Sequence, residues 1–65
     1  MYSKLKKIRE EKNISQAELA KLLGYKHKSG YGKLENGDRK ISLEQAKIIS
    51  DYLKMPIEEI FFENK

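Results

Sequence analysis

The side chains of this sequence that could do chemistry are mainly cations, and they are unevenly placed. Residues 26–40 carry five lysines and arginines against two carboxylates, and residues 1–12 carry the same excess, in a chain of net charge +4. Residues 41–65 carry three lysines against five carboxylates. Such an asymmetry favours a polyanion as partner, because neutralising phosphates releases condensed counterions. A solvated lysine-rich surface is the alternative, and charge alone does not choose between the two.

Other chemistries have little support. The chain has no cysteine and one histidine, His27, so neither a thiolate site nor a histidine-rich metal site is expected. It contains no nucleophile–base set and no phosphate-cradling glycine loop, and we therefore expect no enzyme activity, cofactor, metal or small-molecule ligand. No apolar run approaches the ~20 residues that cross a bilayer, and the chain starts with no signal-like stretch. We expect a cytoplasmic protein without membrane contact.

The cations of residues 26–40 overlap a pair of predicted helices. Ser15 followed by Glu18 has the form of a capping box, which begins a helix, and Gly24 has the form of a stop. Between them, apolar residues recur at helical spacing: Ala17, Leu19, Ala20, Leu22 and Leu23. After the cationic residues that follow Gly24, a second apolar pair precedes the turn signature Asn36-Gly37. Two short helices across a tight turn, the second one basic, are typical of DNA readers.

The rest of the chain is predicted to be helical as well. Ser42 with Gln45 repeats the capping-box pattern, and four apolar residues follow it at spacings of three, three and four: Leu43, Ala46, Ile49 and Leu53. We predict helices over about 2–12, 16–23, 28–35 and 43–54, and a short fifth helix that starts at Pro56. The sequence has no strand alternation and no long linker. It predicts an all-α, compact five-helix bundle that forms a single domain over residues 1–65.

The order and spacing of three segments carry a family resemblance: LKKIREEKNISQAELAKLLGY, GKLENGDRKISLEQA and MPIEEIF. The chain resembles the XRE or Cro/repressor-type helix-turn-helix regulators of bacteria and phage over nearly its whole length. The resemblance implies a lambda-repressor-like domain that binds double-stranded DNA sequence-specifically. It also implies a homodimeric repressor that places the second helix of the motif, the recognition helix, in the major groove of a palindromic operator.

The resemblance further implies roles for individual residues. Three fall on positions that usually face base edges, namely Lys28, Ser29 and Lys33. Four fall on positions that usually contact the DNA backbone: Gln16, Asn36, Arg39 and Lys40. Apart from the resemblance, Lys26 and His27, which lie in the turn before the recognition helix, are also assigned to the DNA backbone. A solvated side chain is the alternative for Lys26, His27 and Lys40, and a phosphate contact or a solvated side chain is the alternative for Lys33. Arg9 and Glu35 match a pair that typically forms a salt bridge between the first and third helices.

Two glycines, Gly30 and Gly32, lie inside the predicted recognition helix. Each lowers helix stability by about 0.5–1 kcal/mol relative to alanine, so this helix is expected to be the least stable element on its own. The glycines leave three interpretations open. The helix orders fully only on DNA, the glycines allow a close approach to phosphates or a partner, or the domain is an antitoxin- or antirepressor-like protein-interaction module that uses the same fold.

Several aromatic and aliphatic residues have two interpretations. Tyr31 occupies a position expected in the core, and the alternative is a hydroxyl that reaches a phosphate. Four others belong either to the core or to a self-complementary dimer patch: Ile48, Tyr52, Phe61 and Phe62.

Overall fold

The structure, a computed structural model, describes residues 2–62. Residue 1 and residues 63–65, which the single-domain prediction includes, lie outside the described residues. Residues 2–62 form five α-helices and no strand: α1 (Ser3–Glu11), α2 (Gln16–Leu22), α3 (Lys28–Asn36), α4 (Leu43–Leu53) and α5 (Ile57–Phe61). The predicted all-α, five-helix architecture is confirmed. None of these helices, within the described residues, is long and apolar enough to cross a membrane.

The two predicted capping boxes form to different extents. At α4, the Ser42 hydroxyl accepts a hydrogen bond from the Gln45 backbone N–H at 3.1 Å, and the Gln45 side chain accepts one from the Ser42 N–H at 3.2 Å. At α2, Ser15 Oγ accepts from the Glu18 N–H at 3.0 Å, but the Glu18 carboxylate accepts the hydroxyl of Tyr52 instead. The prediction of a box at Ser15 is therefore correct for the Ser15 half only.

Glycines with positive φ end the two helices of the motif. Gly24, after α2, has φ +86°, and Gly37, which caps α3, has φ +88°. Both values lie in the left-handed region, which costs a residue with a Cβ about 1–2 kcal/mol. These glycines stop each helix where the sequence predicts a stop, Gly24 for α2 and Gly37 for α3.

Ten apolar side chains, contributed by all five helices, form the core: Leu5, Leu19, Ala20, Tyr31, Leu34, Ala46, Ile49, Leu53, Ile60 and Phe61. Helix α2 packs mainly against α3, while α1 contacts α3 and α5, and α4 contacts α5. Full burial of one such large apolar side chain contributes about 1.5–3 kcal/mol. Leu43, although part of the predicted apolar pattern of α4, is 79% exposed, because it is the first helical residue and the inner face is made by Ala46, Ile49 and Leu53.

Candidate nucleic-acid interface

The turn between α2 and α3 is built by backbone hydrogen bonds. The Tyr25 N–H donates to the carbonyl of Ala20 at 2.9 Å, which returns the chain to the end of α2. His27 then adopts an extended conformation as the N-cap of α3, and its carbonyl accepts the Gly30 N–H at 3.1 Å. Within the described residues, the His27 side chain makes no capping hydrogen bond. It is exposed instead, at the start of the helix that the resemblance assigns to the major groove.

The outer face of α3 carries the residues predicted to face base edges. Lys28, Ser29 and Lys33 are all exposed. Ser29, Lys33 and Asn36 follow one another at spacings of four and three, which places them in one row on the helix surface, with Lys28 beside it. Asn36 is the last residue of α3 and is exposed, so it belongs to this row rather than only to the loop that follows.

The other predicted DNA-backbone residues surround α3. Lys26, His27, Arg39 and Lys40 are exposed, and Gln16, the first residue of α2, is half-buried. The guanidinium carbon of Arg39 lies 5.1 Å from the centroid of the Tyr25 ring. That distance is typical of a cation–π contact, so Arg39, although exposed, is held against the turn of the motif.

The inner face of α3 is held by a buried polar network centred on Glu35, which is 2% exposed. Its carboxylate accepts hydrogen bonds from Arg9 Nε at 2.8 Å, from the Tyr31 hydroxyl at 2.9 Å and from Gln16 Nε2 at 3.0 Å. Arg9 also donates to the carbonyl of Ile14 at 2.8 Å. The Arg9–Glu35 ion pair thus joins α1 to α3, and Gln16 adds α2 to the same carboxylate.

The network shifts the titration of its members. Burial alone would raise the pKa of Glu35, but hydrogen bonds from Arg9, Gln16 and Tyr31 outweigh it and lower that pKa below its usual value. Burial, together with the neighbouring Glu35 charge, raises the pKa of Tyr31 well above its usual value. Tyr31 is completely buried, and its hydroxyl is used inside the protein. The first of its two interpretations, core packing, describes the structure.

The two glycines of α3 each lie against a side chain of this same chain. A Cβ on Gly30 would lie 3.0 Å from Cδ1 and 3.1 Å from Cγ of Tyr25, closer than real side chains normally approach. A Cβ on Gly32 would lie 3.6 Å from Oε1 of Gln16, which is ordinary van der Waals contact. A side chain at position 30 would therefore have to displace the Tyr25 side chain slightly, whereas Gly32 is not required sterically.

The predicted dimer residues fall into different environments. Phe61 belongs to the core, with its ring 5.5 Å from that of Tyr2 in an edge-to-face arrangement, so it is a poor candidate for contact with a partner. Ile48 is half-buried. Tyr52 is 41% exposed and donates its hydroxyl to Glu18, and Phe62 is 62% exposed. Leu43 and Phe62 line one open apolar groove of about 300 Å³, together with other residues that include Ile41 and Ile57.

Two residues of the site, Tyr25 and Gln45, make contacts that the sequence does not predict. The sequence predicts no role for Tyr25, although its ring lies against Gly30 and Arg39. Gln45 was predicted as a capping residue, and its Nε2 also donates to the Tyr25 hydroxyl at 3.0 Å. One feature of the sequence indicates the contact between Tyr25 and α3. Tyr25 directly follows the turn glycine Gly24, and Gly30 lies inside the next helix, where a glycine often marks a close approach by another group.

The fold and the site together define a class of protein. A short helix, fixed across a tight turn by a buried network and carrying an exposed basic face, is the helix-turn-helix arrangement of DNA-binding domains. A family model described as Helix-turn-helix matches residues 5–60, and the chain belongs to this XRE-type helix-turn-helix family. The family consists of DNA-binding regulatory domains and is not an enzyme family. No curated protein matches the chain.

Proposed function

We propose that this DNA-binding regulator is a sequence-specific repressor that binds a palindromic operator as a homodimer, with α3 in the major groove. The observation that carries the proposal is the exposed face of Lys28, Ser29 and Lys33 on a helix whose opposite face is fixed by Glu35. A helix held in this way presents donors in a defined orientation, which reading of base edges requires. The site of action is the cytoplasm, where the operator DNA of a bacterium or phage lies.

Within this proposal, Lys28, Ser29 and Lys33 contact bases, and the six backbone residues contact phosphates: Gln16, Lys26, His27, Asn36, Arg39 and Lys40. Lysine donates to the O6 and N7 acceptors of guanine, which favours a G·C pair opposite Lys33. Gln16 has a double role, because one N–H of its amide bonds to Glu35 and the other remains available for a phosphate. No observation favours the protein-interaction alternative: Gly30 lies against the Tyr25 side chain of the same chain, and Gly32 has no contact that points to a protein partner.

The proposed dimer contact includes Phe62, with Leu43 beside it. These are the most exposed large apolar side chains among residues 2–62, and they line the same groove. A second copy related by a two-fold axis would cover both and would set two α3 helices against half-sites about one helical turn apart.

A titration of labelled DNA from the region flanking the gene tests the proposal. We expect log K for DNA binding to fall linearly with the logarithm of the salt concentration, because each lysine or arginine that contacts a phosphate releases counterions condensed on the DNA. Lys33→Ala should weaken specific binding by about tenfold or more, while Lys7→Ala, an exposed lysine of α1, should change it little. Absence of salt-dependent binding, or equal effects of the two substitutions, contradicts the operator assignment.

Equilibrium sedimentation tests the homodimer separately. We expect dimers on operator DNA and at high protein concentration, and we expect Phe62→Ser to shift the equilibrium to monomer. Lys7→Ser serves as the control for an exposed position outside the groove. A wild-type protein that stays monomeric both free and on DNA contradicts the dimer but leaves DNA binding intact.

A further inference from the structure

Tyr25 joins the parts of the molecule that surround the recognition helix. Its backbone N–H bonds to the end of α2, its ring contacts Gly30 of α3, and its hydroxyl accepts Gln45 Nε2 at 3.0 Å. The Arg39 guanidinium, from the loop between α3 and α4, lies over the ring. The backbone of Tyr25 therefore bonds to α2, and its half-buried side chain contacts α3, the following loop and the start of α4.

The ring is held on several sides before any ligand binds. Gly30 allows it to approach the α3 backbone at distances that any Cβ would obstruct, with Cδ1 3.0 Å from the position a Cβ would take. At the other end, Gln45 is itself fixed by the capping box with Ser42. Because both ends of the Tyr25 side chain are fixed, the ring offers a surface of defined position to Arg39.

A stacked arginine is well suited to hold a phosphate. The guanidinium is planar, so one face can rest on an aromatic ring while the N–H groups in its plane remain free to donate. An exposed arginine without such support loses rotamer freedom on binding, at a cost of about 0.5–1.5 kcal/mol for each side chain immobilised. The contact with Tyr25 reduces that loss, because the orientation of Arg39 is already restricted in the free protein.

We propose that Tyr25 is a positioning residue for DNA binding, whose ring holds the guanidinium of Arg39 ready for a backbone phosphate beside α3. The proposal rests on the proposed function, since it requires Arg39 to contact DNA. It makes a specific statement beyond that function: the contribution of Arg39 to affinity depends on the aromatic ring at position 25, and the contribution of Lys40, the next residue, does not.

A double-mutant cycle measured by DNA titration tests this dependence. Arg39→Ala is compared in three backgrounds, namely wild type, Tyr25→Phe, which keeps the ring, and Tyr25→Leu, which removes it. We expect Arg39→Ala to weaken binding in wild type and Tyr25→Phe by about 2- to 12-fold more than in Tyr25→Leu, the factor that corresponds to one immobilised side chain. Lys40→Ala, the matched control, should weaken binding by the same factor in every background.

Nuclear magnetic resonance of the free protein supplies an independent readout. A guanidinium over an aromatic face shifts the Arg39 side-chain protons upfield, so we expect this shift in wild type and Tyr25→Phe and its loss in Tyr25→Leu. Thermal unfolding establishes that each variant is folded, and Tyr25→Met replaces Tyr25→Leu if the latter does not fold. The wild-type spectrum decides even without a ring-free variant, because the absence of the upfield shift overturns the proposal.

The outcomes separate this inference from the proposed function. If wild type binds DNA and Arg39→Ala weakens binding equally with and without the ring, or has no effect, the positioning role is overturned and the proposed function stands. If wild type shows no salt-dependent DNA binding, the proposed function itself fails and the inference fails with it. If Arg39→Ala weakens binding less in Tyr25→Leu than in wild type and Tyr25→Phe, while Lys40→Ala weakens it equally in all three, the result supports both the inference and the proposed function.

Discussion

The inner and outer faces of α3 differ in burial and in hydrogen bonding. On the inner face, Tyr31 and Glu35 are buried, and the Glu35 carboxylate accepts hydrogen bonds from three side chains. On the outer face, Lys33 and Ser29 are exposed, and the structure assigns them no fixed partner among the described hydrogen bonds. The inner face therefore fixes the helix, and the outer face remains free for a ligand.

This division explains how a segment of low helix propensity forms a helix of fixed orientation. Two interior glycines make α3 a poor helix by propensity, yet it is helical over nine residues. Its orientation comes from tertiary contacts, namely the buried ion pair to α1 and the apolar packing of Tyr31 and Leu34. Because the inner face carries the stabilising contacts, substitutions on the outer face should have little effect on folding.

Removing Glu35 should produce the largest effect. In Glu35→Leu, the Arg9 guanidinium and the Tyr31 hydroxyl lose their buried partner, so we expect the free energy of unfolding to fall by about 3–5 kcal/mol. Urea denaturation measures it. Lys33→Ala, on the outer face of the same helix, should stay within about 0.5 kcal/mol of wild type.

The triple variant Arg9→Met/Tyr31→Phe/Glu35→Leu tests the cause of that loss. It removes every charged or hydroxyl group at the centre of the network, so no buried charge is left unpaired, and we expect it to recover most of the stability. If Lys33→Ala is as damaging as Glu35→Leu, the two faces of α3 do not differ in the way described above.

Acid should weaken the inner face by a smaller amount, because protonation removes the charge of Glu35 but not its side chain. The pKa of Glu35 is lowered in the folded protein, so below its ordinary value near 4.5 the unfolded chain binds more protons than the folded one. The stabilisation is present above that pH and is lost as the pH falls through the lowered pKa. Thermal unfolding of wild type and Glu35→Gln between neutral pH and pH ~2.5 measures the difference.

Other carboxylates titrate over the same range, so the quantity to compare is the difference between the two proteins. We expect the unfolding temperature of wild type to fall more steeply with acid than that of Glu35→Gln. Parallel curves would mean that the Glu35 network does not contribute to acid sensitivity.

The extent to which the sequence predicted this molecule follows from the range of each interaction. The helices, their glycine stops and the Ser42 box depend on residues a few positions apart, and the sequence reveals them directly. The Arg9–Glu35 pair joins residues 26 positions apart, and only the family resemblance suggested it. The contacts of Tyr25 with Gln45 and of Glu18 with Tyr52 join residues 20 and 34 positions apart, with no local pattern to indicate them.

The two glycines of α3 provide the smallest and most discriminating comparison. Gly32→Ala adds a Cβ at ordinary contact distance from Gln16, so we expect the helix propensity of alanine to stabilise the protein by about 0.5–1 kcal/mol. Gly30→Ala adds a Cβ 3.0 Å from the Tyr25 ring, so the strain of moving the ring should exceed the same gain and destabilise the protein by about 1 kcal/mol. Urea denaturation of both variants shows whether the signs differ.

The cause of the opposite stability changes can be tested separately, because it depends on the side chain of Tyr25. In a Tyr25→Ala background, which removes Cγ and Cδ1 and leaves only the Cβ 3.3 Å away, adding Gly30→Ala should be far less harmful than in wild type. Gly32→Ala should give the same gain in both backgrounds, since its nearest neighbour is Gln16. If Gly30→Ala stabilises wild type as Gly32→Ala does, the Tyr25 ring shifts to admit a Cβ without strain, and the close approach at Gly30 does not fix its position.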